Sequence, residues 1–332
     1  MRSVLITGAS GLVGSHAAEL FVSKGWHVRA LVRVSSERSF LEGLGCEMRT
    51  GDIEDPESLA GAAEGCEIVV HSAARLGSRM SWDESRVANE DGTRNVVRES
   101  VRAGVSRFVH VSTVSVYGHP PDHASHPIGE ESPVDLAVPS EFRYERSKRL
   151  AELVVREVSP EHMSWTIVRP AIIVGERDRL FTPRLVAAAR RMWIVLPDGG
   201  RHSLPVVYAG SVALACLLAA TRPEAAGQTY NVADDGPLTL RRMLEMASPA
   251  GQTLRVISVP GGLFWRGFAA VRAVSRLIPG PGLPVNERNV WFIANDNPFA
   301  SERIRSLPGW NPTISAQEGW ERSIEWYESQ AS

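Results

Sequence analysis

The chain has 332 residues, enough for one large domain or two modest ones with an ample core. Apolar residues make up 43% and charged residues 22%, an ordinary balance for a soluble globular protein. With 36 basic against 38 acidic residues, the net charge of -2 gives no electrostatic footprint for nucleic acid or an anionic membrane. Cys46, Cys66 and Cys216 are few and widely spaced, which argues against a disulfide framework or a zinc site and suits a reducing compartment. No apolar run is long enough to span a bilayer, since Pro205 to Ala220 is interrupted by Tyr208 and Ser211. With a strand-like start at Arg2 to Ile6 and no apolar leader, this sets the expectation of a cytoplasmic protein without a membrane span or a metal.

The first half alternates short β-branched runs with helical periodicity. Val4-Leu5-Ile6 reads as a strand, followed by a helix from Leu12 to Lys24 that Gly25 ends. His27 to Val32 and Gly45 to Arg49 predict the second and third strands, and Asp55-Pro56 opens a short helix over Pro56 to Ala63. Glu67 to Val70 is a fourth strand, Ser85 to Ala103 a long helix stopped by Gly104, and Arg107 to Val111 a fifth strand. A helix over Arg143 to Val158 and a strand at Trp165 to Val168 follow. Strands alternating with helices predict an α/β fold built on a doubly wound parallel sheet.

After Pro170 the pattern loosens. Phe181 to Met192, Leu238 to Met246, Gly261 to Leu277 and Gln317 to Glu328 read as helices, and Gln228 to Val232 and Val256 to Val259 as strands. Pro279-Gly280-Pro281-Gly282 breaks the apolar helix before it. The expected division is a dinucleotide-binding domain at 1–170, rejoined by about 205–221, with a smaller C-terminal substrate-binding lobe at 171–204 and 222–332.

Thr7-Gly8-Ala9-Ser10-Gly11-Leu12-Val13-Gly14 joins the first strand to the first helix. Gly8 permits a tight turn, Gly11 a close approach of a pyrophosphate to the backbone, and Gly14 close packing of helix on strand. The helix N-terminus then offers free N–H groups and a positive dipole end to phosphates. Gly8, Ser10, Gly11, Leu12, Val13 and Gly14 are therefore candidate cofactor contacts. The end of the second strand selects the dinucleotide: a carboxylate there binds the ribose 2′-OH of NAD, an Arg the 2′-phosphate of NADP. Here Arg33 stands in that place, with Ser35, Ser36 and Arg38 nearby and no carboxylate at the strand end. NADP(H) is expected; NAD(H) stays open if Arg33 is a solvated surface charge.

Tyr144 and Lys148 stand four residues apart on one helical face. A free phenol, with a pKa near ~10, is a poor proton donor or acceptor at neutral pH, and a neighbouring ammonium favours the phenolate. The pair suits general acid/base work on an alcohol or a ketone.

With the glycine loop and the Tyr/Lys pair in hand, the chain resembles the extended short-chain dehydrogenase/reductase family, of the NAD-dependent epimerase/dehydratase superfamily, over nearly its whole length. Gly51-Asp52-Ile53 resembles the family's adenine contact, and His71-Ser72-Ala73-Ala74 its fourth-strand motif beside the cofactor. Asn89-Glu90-Asp91-Gly92-Thr93-Arg94-Asn95 matches its helix start, and Val111 to Gly118 its fifth-strand motif, which puts the active-site hydroxyl at Thr113, or at Ser112 if the register slips by one. Arg169-Pro170 resembles the contact near the nicotinamide. The resemblance implies a Rossmann-type fold. It also implies that Thr113 holds the substrate oxygen, that Tyr144 passes the proton, and that Lys148 binds the nicotinamide ribose and tunes Tyr144. Asp52, Ile53, Ala73, Ala74 and Pro170 would complete the cofactor site. His71 and Asn95 are read as packing and hydrogen-bonding residues rather than catalysts. A homodimer through the helix at 85–103 and the Tyr144 helix would follow the family habit.

Departures from the family narrow the chemistry. Val114 and Ser115 follow Thr113 where dehydratases carry an Asp-Glu pair, and Ala171 to Val174 lacks the Asn with which epimerases touch a nucleotide-sugar. Arg169-Pro170, Gly175-Glu176 and the tail Leu307 to Pro312 look closer to the 3β-hydroxysteroid dehydrogenase and dihydroflavonol reductase-like branch. Phe264, Trp265, Phe268, Leu277, Trp291 and Phe292 would suit a hydrophobic small-molecule substrate, if they line a pocket rather than fill the core. Arg177, Arg179, Arg184, Arg190 and Arg191 keep a phosphorylated substrate in view. The leading expectation is an NADP(H)-dependent oxidoreductase interconverting a ketone and a secondary alcohol on a steroid-like or aromatic molecule. A nucleotide-sugar epimerase with tightly held cofactor is the alternative, and a non-catalytic dinucleotide sensor ranks last because Tyr144 and Lys148 are both present.

Overall fold

The computed structural model describes residues 2–76, 80–118, 127–134, 142–158, 161–191, 193–234, 236–275 and 287–330, the side chains of 272–275 and 287–289 apart. In chain order the first half comprises β1 (Ser3–Thr7), α1 (Leu12–Ser23), β2 (His27–Val32), α2 (Ser39–Gly43), β3 (Glu47–Thr50) and β4 (Ile68–His71). Then α3 (Trp82–Arg86) runs through a π turn, Val87–Asp91, into α4 (Gly92–Arg102). Next come β5 (Arg107–Val111), a 3₁₀ turn at Val114–Tyr117, α5 (Arg143–Arg156), β6 (Ser164–Pro170) and β7 (Ile172–Val174). The second half continues with α6 (Thr182–Ala189), β8 (Trp193–Pro197), β9 (Val206–Tyr208), α7 (Ala209–Thr221), β10 (Thr229–Val232) and α8 (Leu240–Met246). It ends with β11 (Arg255–Val259), α9 (Gly261–Ser275), α10 (Glu287–Ala294), α11 (Glu302–Arg305) and α12 (Ala316–Ser329).

Seven strands form one sheet in the order β10-β6-β5-β4-β1-β2-β3, and every pairing in it is parallel. β1 is buried along its whole length because both sheet faces are covered, which is why it reads as an unbroken apolar run. Val4 and Ile6 point into one core, under α1 and α7; Leu5 points into the other, under α4 and α5. α7 is buried nearly all round, which its Ala- and Leu-rich sequence requires. A third core lies among β7, β9, α6, α8 and α12 around the fully buried Trp320.

Several local expectations differ from what forms. Residues 56–63 make successive turns instead of a helix: Leu59, Ala60 and Ala62 donate to carbonyls only three residues back, and Gly61 takes a φ of 76°. The helix expected from Ser85 starts earlier, at Trp82, because Ser81 and Glu84 build a capping box. Among the described residues β7 and β9 are three-residue strands that pair with each other, and β8 pairs with β11; such short runs give little periodic signal. The Pro279–Gly282 break and Leu277 lie outside the described residues. Among the described residues no helix is long and apolar enough to cross a membrane, and no His/Cys/Asp/Glu group could hold a metal ion.

Candidate active site

Parallel pairing lines up the C-terminal ends of the strands along one edge of the sheet. Strand order reverses between β1 and β4, which opens a crevice at that edge. Nearly every residue singled out from the sequence sits just past one of these strand ends. Gly8 follows β1, Arg33 follows β2, Asp52 and Ile53 follow β3, Ala73 and Ala74 follow β4, Thr113 follows β5, and Pro170 ends β6.

The glycine loop is shaped by close approaches. Gly8 has φ 67°, and a Cβ on it would lie 2.7 Å from the Ala73 nitrogen. A Cβ on Gly14 would lie 2.1 Å from the Gly8 carbonyl oxygen, so α1 packs on the loop only without a side chain there. Thr7 ties the loop to the end of β4: its Oγ1 accepts from Ala73 N at 3.3 Å, and its carbonyl accepts from Ser72 Oγ at 2.8 Å. Gly11 is the N-cap of α1 and is exposed; no side chain caps the helix and its first turn has no acidic residue. The first-turn N–H groups, flanked by half-buried Ser10, Leu12 and Val13, therefore face the crevice uncompensated, as an anion site requires. Arg33 is exposed just past β2. Asp52 is half-buried and its Oδ1 accepts from Glu54 N at 3.0 Å. Ile53 is clamped on the long helix: its carbonyl accepts from Asn95 Nδ2 at 2.9 Å, and a Cβ on Gly92 would meet its Cδ1 at 2.9 Å.

α5 is stapled to the segment after β5 by three consecutive holds. Lys148 Nζ donates to the Val111 carbonyl at 2.8 Å, Arg149 Nε donates to the Val116 carbonyl, and Ser112 Oγ donates to Glu152 Oε1 at 2.6 Å. Thr113 lies between these holds; its Oγ1 caps the 3₁₀ turn by accepting from Ser115 N and donates to Ser115 Oγ, both at 3.1 Å. Tyr144, half-exposed in the first turn of α5, stands one turn before Lys148 on the same face. Lys148 is 1% exposed, and loss of hydration lowers its pKa to about 8, with Glu152 opposing the shift.

Beneath Lys148 lies a buried polar floor that the sequence did not announce. Lys148 Nζ approaches His110 Nε2 at 3.3 Å, and the His110 ring stacks on His71 with centroids 5.4 Å apart. Thr93 Oγ1 gives its proton to the Asn89 carbonyl at 2.6 Å, so His71 Nε2 must donate to Thr93, at 3.0 Å. His71 Nδ1 then accepts from Thr7 Oγ1 at 2.7 Å. Asn89 Nδ2 donates to Ser147 Oγ at 3.0 Å, while its Oδ1 accepts from Arg75 N at 2.8 Å. The π turn around Asn89 aims this side chain at both neighbours. Burial, reinforced by Lys148, pushes the His71 pKa down to about 3 and that of His110 well below its usual value, so both rings are neutral. His71 and Asn95 are thus hydrogen-bonding residues of the frame, as expected from the sequence.

Arg169, the first residue of the Arg-Pro motif, has its guanidinium buried. Its Nε and Nη2 donate to Glu152 at 2.8 and 2.5 Å, and its Nη1 donates to Tyr117 Oη at 2.6 Å. Tyr117 Oη donates onward to Asn231 Oδ1 at 2.8 Å. A buried carboxylate reaches this geometry only with a bidentate partner, and α5 supplies Glu152 one turn after Lys148. Glu152 neighbours Lys148, Arg149 and Arg156 on α5, so nothing in its helical period sets it apart from a surface charge. Of the aromatic candidates, Phe292 is core, Trp291 packs against it, and Phe264, Trp265 and Phe268 are half-buried on α9. Arg177 is held by Ser15 and Glu19, at 2.9 and 2.8 Å, rather than facing the crevice.

The glycine cradle, the uncapped helix end and the strand order define a dinucleotide-binding protein of the Rossmann type, and the residues present fit such a cofactor. Over residues 4–233 the chain matches the model of the NAD dependent epimerase/dehydratase family, and it belongs to that family. A 2-alkyl-3-oxoalkanoate reductase of Stenotrophomonas maltophilia is 30% identical over 329 residues, covering 96% of this chain and 97% of that protein. A 4-hydroxy-2-methyl-3-oxo-4-farnesyl-3,4-dihydroquinoline-1-oxide ketoreductase of Stigmatella aurantiaca is 28% identical over 327 residues, covering 95% and 93%. The crystal structure of gox2253 has the same fold, with a TM-score of 0.79 at 25% identity over 99% of both chains. The protein is accordingly an oxidoreductase of the short-chain dehydrogenase/reductase type.

Proposed function

We propose that the enzyme interconverts a ketone and a secondary alcohol on an apolar small molecule, with NADP(H) as its dinucleotide and Tyr144 as its acid/base. The observation that carries this reading is the Lys148 ammonium, wholly buried one turn behind Tyr144 and fixed to the Val111 carbonyl. A positive charge held there favours the phenolate and lets Tyr144 exchange a proton at neutral pH. The dinucleotide supplies a hydride donor or acceptor when bound. Gly8, Ser10, Gly11, Leu12, Val13 and Gly14 would hold its phosphates, Asp52 and Ile53 its adenine side, and Ala73, Ala74 and Pro170 its other end. Lys148 would reach the ribose.

In ketone reduction the Tyr144 hydroxyl gives its proton to the substrate oxygen; in alcohol oxidation it takes the proton back. Thr113 holds that oxygen by turning its hydroxyl from Ser115 to the substrate. Ser112 is a poor alternative, because its hydroxyl is committed to Glu152. Arg33, exposed at the strand end with no carboxylate beside it, supports recognition of a 2′-phosphate. An apolar substrate is supported by the relatives, whose names carry alkyl and farnesyl groups, and by the part of the chain we assign to the substrate, 171–204 and 222–332.

The test is a screen of ketones and secondary alcohols, long-chain and aromatic compounds included, for absorbance change with NADPH or NADP⁺. One cofactor should be consumed per carbonyl reduced. Catalytic turnover of a nucleotide-sugar with no net cofactor consumption would replace this reading by epimerisation.

A further inference from the structure

Helix α9 presents an unusual face to solvent. Among its described side chains Gly262, Leu263, Arg266, Gly267, Ala269, Ala270 and Val271 are exposed, and of these only Arg266 is charged. Leu263 is 62% exposed and Val271 52% exposed. Phe264, Trp265 and Phe268 lie on the half-buried side. A solvent-facing helix surface is normally the charged one. The strand pair beside it behaves alike. Register places Arg255 against Trp193 and Ile257 against Val195, so these four side chains share the outward face of β8–β11. Trp193 is 58% exposed and Ile257 49% exposed. β11 runs into α9 through Pro260 alone, and α9 packs on β8.

The charge around this surface is mainly positive. From Gln252 to Asn286 the sequence carries four arginines and no Asp or Glu, and Arg190 and Arg191 immediately precede β8. Arg190, Arg191, Arg255 and Arg266 are all exposed. Asp198, which meets the start of α9, is committed to Gly261 N at 3.1 Å and to His202 at 3.2 Å. The overall charge of -2 therefore conceals a locally basic, apolar surface.

We propose that α9 and the outward face of β8–β11 dock on an anionic lipid bilayer. Leu263, Val271, Trp193 and Ile257 enter the interface, and Arg190, Arg191, Arg255 and Arg266 sit at headgroup level. Apolar residues with Trp, flanked by Arg and with Asp198 already committed to its own partners, are what an interfacial helix needs. Among the described residues no helix is long and apolar enough to span, and the proposed contact is peripheral. A second copy of the chain is a worse occupant: a two-fold contact through this patch sets arginines against arginines with no acid to receive them.

The test is sedimentation of the full chain with vesicles of phosphatidylcholine alone and with about 30% phosphatidylglycerol. Binding is expected only to the anionic vesicles, falling steeply between about 50 mM and 500 mM salt. Leu263→Asp with Val271→Asp should weaken it tenfold or more. Arg255→Gln with Arg266→Gln should weaken it roughly 25-fold, at about fivefold per arginine. Both variants alter exposed side chains and should keep the wild-type circular dichroism and NADPH affinity. Absence of binding to anionic vesicles, or binding unchanged in both folded variants, overturns the proposal. So does a dimer in sedimentation equilibrium that either variant dissolves, which would assign the face to a second copy.

Discussion

Replacing Glu152 by Gln should both destabilise the protein and disturb its candidate site. The carboxylate lies in the interior and receives four hydrogen-bond donors or charges: Arg169 Nε at 2.8 Å, Arg169 Nη2 at 2.5 Å, Ser112 Oγ at 2.6 Å and, more distantly, Arg156 at 3.7 Å. These partners hold its pKa down against burial, which pushes the other way. A pair this deeply buried need not be a net stabiliser compared with apolar residues, because desolvation offsets most of the attraction. Removing one charge is different, since the Arg169 guanidinium would remain desolvated without a counterion. Such single-sided deletions cost about 3–5 kcal/mol. At roughly 2 °C per kcal/mol for a chain of this size, Tm should fall by about 6–10 °C. Because Ser112 and Arg169 anchor α5 to β5 and β6, the loss should also loosen the setting of Lys148 and Thr113. Ketone reduction should then drop by more than the unfolded fraction explains. Thermal melts and urea titrations followed by circular dichroism measure the first effect, and steady-state rates well below Tm measure the second. A Tm within 2 °C of wild type would show that the pair does not hold this layer together. The Glu152→Gln, Arg169→Met double variant should recover part of the loss, as it removes the stranded charge.

Three further outcomes follow from the geometry. Gly14→Ala drives a Cβ to 2.1 Å from the Gly8 carbonyl, so the loop must shift; NADPH affinity should fall by at least tenfold, read by quenching of protein fluorescence. Arg33→Ala should weaken NADPH at least tenfold and leave NADH unchanged in parallel titrations; equal loss for both would remove Arg33 from 2′-phosphate recognition. His71, at about 3 when folded and near ~6.5 when unfolded, binds its proton more tightly in the unfolded chain. Its contribution is complete above pH 6.5 and is lost as pH falls toward 3, by about 2 kcal/mol at pH 5. Urea midpoints measured from pH 7 to pH 5 should show that slope, reduced in His71→Gln.

The sheet was readable because its buried strands had to be apolar runs and two of its crossover helices stop at a glycine, at Lys24-Gly25 and Ala103-Gly104. The glycine loop was readable because its spacing is dictated by contacts within eight residues of chain, which Gly8 and Gly14 make with each other. What escaped notice depends on partners remote in sequence. Glu152 and Arg169 each look like an ordinary surface charge until β6 is laid beside α5. His110 looks like a chance polar residue in a strand until Lys148 is seen above it. The turns at 56–63 failed as a helix because Gly61 and the Ser58 hydroxyl, which donates to the Asp55 carbonyl at 2.7 Å, offer the backbone another arrangement. An average over the chain says nothing of where charge lies, and Arg190, Arg191, Arg255 and Arg266 are all exposed around β8, β11 and α9.

The most direct measurement is the single-turnover rate of NADPH oxidation with Tyr144→Phe, using a ketone that the wild type reduces. The variant should bind NADPH with unchanged affinity and lose ~10²–10⁴-fold in the rate of carbonyl reduction, because only the phenolic proton has been removed. A rate within tenfold of wild type would mean that the proton comes from elsewhere and that the α5 face is not where the chemistry happens.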